Sequence, residues 1–119
     1  MTYETDNYDG PNPDLESVGR DMLSSFKDSL GADWIRLRPD MEKHIEGVRE
    51  SIAYIGELQV QGELTEEGAR ELIEFQQLNM KMLIIECSAM KDLAIETAIN
   101  SAFKKVRDAV NSMVNFELL

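Results

Sequence analysis

From Ala69 to Leu119 the chain runs 51 residues without a glycine or a proline. These are the residues that most often stop a helix, so nothing local interrupts one very long helix here. At ~1.5 Å per residue, such a helix spans roughly 70 Å. A compact chain of this size has a radius of gyration of only about 13–14 Å. The sequence therefore predicts an all-α protein in which a long C-terminal helix projects and is completed by partners.

The other elements follow from spacing and caps. Residues 1–13 (MTYETDNYDGPNP) read as a flexible acidic arm, with Gly10, Pro11 and Pro13 excluding a helix; the leading expectation is a frayed terminus, and the alternative is that Tyr3 and Tyr8 anchor the arm on a neighbouring subunit. A first, shorter helix is expected over 14–30, because Leu15, Val18, Met22, Phe26 and Leu30 share one face and Gly31 suits its C-cap. Pro39 then predicts a break or kink, with Asp40 capping a second helix over 40–61. Met41, Ile45, Val48, Ile52 and Ile55 step by 4, 3, 4 and 3, a seam of the coiled-coil type. Gly47 and Gly56 lie within it and each weakens a helix, which close packing on a neighbour would explain. Gly62 as a C-cap and Thr65 as an N-cap make a short connection, so the second and third helices are expected to form an antiparallel hairpin. The chain from 14 to 119 is thus expected to be a single helical domain, with its third helix over 66–115.

That third helix is apolar on more than one face. One stripe reads Ile73, Gln76, Met80, Leu83, Cys87, Met90 and Ala94, and continues through Ala98 or Ile99 to Met113. Met82, Ile85, Ala89 and Ile95 lie off it. The second helix is too short to cover such a length. The expected oligomer interface is accordingly Met82, Ile85, Ala89, Ile95, Ile99, Ala102, Val106 and Val110, and an Asp at position 85 or 95 is expected to dissociate the assembly.

Charge restricts the partners. The first 75 residues hold 18 acidic against 7 basic side chains, and the remainder 5 against 5. Direct nucleic-acid or anionic-lipid binding needs clustered Lys and Arg, which this distribution does not supply. No run is apolar enough to span a bilayer, and the first 15 residues lack the apolar core of a signal peptide. Cys87 is the only cysteine. The expected location is the cytoplasm, or a virion.

Candidate chemistry is sparse. His44, the only histidine, has Asp40 one turn away, but two ligands do not make a metal site. Cys87 falls on an apolar stripe and reads as a structural cysteine. Lys104, Lys105 and Arg107 form a small basic cluster suited to an ion pair with a neighbour's acidic end. Trp34, close to Ile35 and Leu37 and followed by basic residues at Arg36 and Arg38, reads as a core residue or a partner anchor. No phosphate loop, nucleophile elbow or zinc spacing occurs. No enzyme activity, cofactor or metal is expected. The leading expectation is a structural or assembly subunit forming a helical homo-oligomer, such as a phage or mobile-element component. The alternative is an acidic DNA mimic, inhibitor or adaptor that binds a basic protein through Glu42, Glu46 and Glu50 together with Glu67, Glu71 and Glu74.

Overall fold

The computed structural model describes residues 14–88 and 90–113. The acidic arm, Ala89 and the end of the expected third helix lie outside the described residues. Among them the chain is all-helical, with four α-helices: α1 (Leu15–Leu30), α2 (Trp34–Gln61), α3 (Glu66–Cys87) and α4 (Asp92–Met113).

α1 opens on Asp14, whose carboxylate accepts the Ser17 N–H at 3.1 Å, and closes on Gly31 at φ +56°. Positive φ is open to glycine at little strain, and the Gly31 N–H donates to the Lys27 carbonyl. A single 3-10 turn, Gly31–Asp33, leads directly into α2. Here the structure departs from the expected break at Pro39, which lies inside α2 as its sixth residue. Proline removes one N–H and crowds the carbonyl four residues earlier, that of Ile35. Ile35 is strongly exposed, so water can serve that carbonyl. In return, the added turn buries Leu37 completely and packs Trp34 against the core.

Between α2 and α3, Gly62 takes the left-handed conformation at φ +76° and Thr65 accepts the Gly68 N–H at 2.9 Å. α3 and α2 lie side by side: Gln76 donates to the Ser51 hydroxyl at 3.2 Å, and the Arg36 guanidinium donates to the Cys87 carbonyl.

The expected helix over 66–115 is instead two helices of 22 residues each. Ser88 is extended (φ −137°, ψ 166°), its N–H still bonded to the Ile84 carbonyl, and its hydroxyl accepts the Met90 N–H at 3.2 Å. A serine side chain that satisfies a nearby backbone donor offers the chain a way out of the helix. The larger reason is burial. Nine α4 side chains, from Ile95 to Met113, are buried in the chain's own core. A straight helix would leave them in water. Burying a large apolar side chain contributes about 1.5–3 kcal/mol, and several of these together exceed the few backbone hydrogen bonds lost at the break, each worth about 1 kcal/mol net. The Lys81–Glu96 ion pair also ties α3 to α4, and Glu96 beside it holds the Lys81 ammonium above its ordinary pKa.

α1 packs most extensively on α4 and next on α2, while α3 packs on α2 and α4 and makes no contact with α1. α1 and α3 therefore occupy opposite corners of a four-helix arrangement, with α2 and α4 between them. The core is apolar throughout, with no buried polar or charged residue among those described. The radius of gyration is 14.9 Å.

Neither helical glycine of α2 is required by packing. A Cβ at Gly47 would stand 3.5 Å from the Gln76 side chain, and one at Gly56 would stand 3.6 Å from the Met113 sulfur. Both are ordinary contacts, and a helical alanine is favoured over glycine by about 1 kcal/mol. Gly47→Ala and Gly56→Ala are each expected to raise the melting temperature by a few degrees. A fall in either melt would show that the helices approach more closely there.

Candidate protein-docking face

The core-facing side of α3 carries Ala69, Ile73, Met80 and Ile84, all buried. At 100° per residue, Leu78, Met82 and Ile85 fall on the opposite side of the same helix, with Phe75 beside them. They are 54, 49, 49 and 59 % exposed. The four step by 3, 4 and 3 residues, the spacing with which one helix presents knobs to another. Isolated exposed apolar residues are ordinary, whereas a spaced row along one helix makes this side of α3 a candidate for contact with another protein.

The same face changes character toward its N-terminus. Glu67, Glu71 and Glu74, then Leu78, Met82 and Ile85, follow one another at steps of 4, 3, 4, 4 and 3 residues. All six are exposed, and on a regular helix they lie within an arc of about 80° and a length of about 27 Å. Acids near a helix start also complement its dipole, and α3 begins one residue before Glu67. Glu66, beside the acidic row, is paired with Arg70 at 2.7 Å. One side of α3 is therefore acidic over its first turns and apolar over its last.

The structure divides the expected oligomer interface. Met82 and Ile85 are on this outward face, and Ala89 is outside the described residues. Ile95, Ile99, Ala102, Val106 and Val110 are 0–4 % exposed and form part of the chain's own core. These five are thus not free to form a seam between subunits, because the reversal after Cys87 packs α4 into the chain's own core against α1, α3 and α2. Phe75 and Leu78 belong to the outward face and are absent from the expected interface. Their signal is legible in the sequence as the 3–4–3 continuation from Met82 and Ile85, but it is masked by the stronger stripe through Met80 and Cys87.

The expected acidic partner face is divided too. Glu67, Glu71 and Glu74 are on α3. Glu42, Glu46 and Glu50 are exposed on α2, but Glu42 is paired with Arg38 at 2.9 Å and Glu46 with Arg49. Arginines on the same helix thus offset two of the three charges, and this ridge is no uninterrupted row of negative charge. His44 is half-buried, and no cluster of three or more metal-ligating side chains occurs among the described residues. Cys87 is half-buried against the core. Lys104 pairs with Asp108 at 3.5 Å within α4. Among the described residues no helix is long and apolar enough to cross a membrane. The chain matches no protein-family model, no curated protein and no solved structure.

Proposed function

We propose that this chain is a non-enzymatic helical assembly or adaptor protein that works by docking the outward face of α3 onto another helix. The observation that carries this reading is the row Phe75, Leu78, Met82 and Ile85, opposite the core side of α3 and about half exposed. The bundle has no use for these side chains, since its own core is complete without them. An apolar row with helical spacing is suited to another helix.

Covering the half-exposed row contributes roughly 3–6 kcal/mol, and about twice that when the occupant's own anchors are included. Association costs about 4–15 kcal/mol in lost freedom. The row alone therefore gives modest affinity, in keeping with an adaptor whose contact forms and dissolves.

A photoreactive benzoyl group at position 82, carried by the full chain in the cells that make it, tests this directly. The expected result is one discrete protein adduct, absent when the group is at position 104, an exposed site on α4. An adduct between two copies would identify the docked helix as a second α3 and return the protein to self-assembly. Equal adduct patterns from both positions would overturn the docking reading.

A further inference from the structure

The outward face of α3 carries two kinds of chemistry in series, and together they select its occupant. We infer that it receives a basic amphipathic helix of a different protein, with Lys or Arg over one half of its contact face and apolar side chains over the other. This rests on the docking reading above and adds the identity of the partner.

The argument compares the two candidate occupants, a second copy and a foreign helix. If two α3 helices lie parallel in register, Glu67, Glu71 and Glu74 face their own counterparts, and like charges meet along half the contact. If they lie antiparallel, those carboxylates are laid over the partner's Leu78, Met82 and Ile85 and lose water without gaining a cation. Neither arrangement satisfies both halves. Of the two cations between Glu67 and Ile85, Arg70 is paired with Glu66 and Lys81 with Glu96. The chain as a whole carries a net charge of −11, which also opposes self-association. A helix bearing cations at steps of 4 and 3 residues and then apolar anchors at steps of 4 and 3 satisfies both halves at once. The acidic half then speeds encounter and sets register, while the apolar half supplies the desolvated contact.

The test uses three fluorescein-labelled synthetic helices of about 21 residues, long enough to cover the face. Each carries three leucines in one half of its contact face. The other half carries three lysines, three glutamines or three glutamates. Binding to the full chain is followed by fluorescence anisotropy. The lysine peptide is expected to bind at least roughly tenfold more tightly than the glutamine peptide, and to lose most of that advantage between about 0.05 and 0.5 M salt. The combined variant Glu67→Lys, Glu71→Lys and Glu74→Lys is expected to reverse the preference, binding the glutamate peptide instead. The corresponding Glu→Gln variant, which is gentler on the start of α3, is expected to erase the preference without reversing it. Circular dichroism confirms that each variant is folded.

Equal, salt-insensitive binding of the lysine and glutamine peptides, lost in Ile85→Asp, would overturn the basic partner while leaving the docking reading intact. A dimer dissociated by Ile85→Asp would overturn it in favour of a second copy. Failure of all three peptides, together with no specific adduct from position 82, would overturn both readings.

Discussion

Ile95→Asp is expected to unfold this protein, and Ile85→Asp is expected to leave it folded. The two isoleucines are ten residues apart in a stretch that reads as one helix, yet the structure gives them opposite environments. Ile95 is 2 % exposed within the core, and Ile85 is 49 % exposed on the outward side of α3. At position 95 the substitution removes a buried side chain, worth about 2–5 kcal/mol as a cavity, and puts a carboxylate in its place. No buried polar group stands among the core residues to receive that carboxylate. Charge burial without a partner costs several kcal/mol more. A domain of this size has a total stability of only about 5–15 kcal/mol, so little folded protein should remain. At position 85 the new carboxylate stays in water and the loss is within about 1 kcal/mol. Far-UV circular dichroism with thermal melts separates the two. A folded Ile95→Asp chain that has merely lost partners would mean that the α4 seam lies between subunits after all.

Phe103→Ala carries the second large effect. Phe103 is fully buried on α4, the helix on which α1 packs most extensively. Truncating a buried phenylalanine costs about 3–5 kcal/mol, from lost transfer energy plus the cavity left behind. Leu93, on the first turn of the same helix but 79 % exposed, serves as the control, and Leu93→Ala is expected to change stability by less than about 0.5 kcal/mol. Urea denaturation with an unchanged slope reads both values. A loss below about 1 kcal/mol at Phe103 would mean that α4 does not lie against α1 as described.

The outward face of α3 is only partly legible in the sequence. Met82 and Ile85 stand out because they are apolar on the wrong side of a helix that already has a core stripe. Their neighbours Phe75 and Leu78 carry the same signal, but the pattern becomes decisive only once Ile73, Met80 and Ile84 are known to be the covered side. The acidic ridge at Glu42, Glu46 and Glu50 illustrates the opposite case. Its spacing is plain in the sequence, whereas its pairing with Arg38 and Arg49 depends on side-chain geometry at steps of three and four residues.

What the sequence determined by itself is the local grammar of this fold. The all-α class, the start of α1 at Asp14 and its end at Gly31, and the Gly62–Thr65 connection are all set by interactions within a few residues: caps, left-handed glycines and the periodicity of one apolar face. Two decisions belonged to the tertiary structure alone, and each reversed a local preference. α2 runs through Pro39 because the extra turn buries Leu37 and packs Trp34. The chain turns back after Cys87, with no glycine or proline to turn it, because only then do the apolar side chains of α4 pack against α1, α3 and α2. Helix propensity amounts to tenths of a kcal/mol for an ordinary residue and about 3 kcal/mol for an interior proline, while burial of a helix face amounts to many kcal/mol. Where the two disagree, contacts between residues distant in sequence prevail.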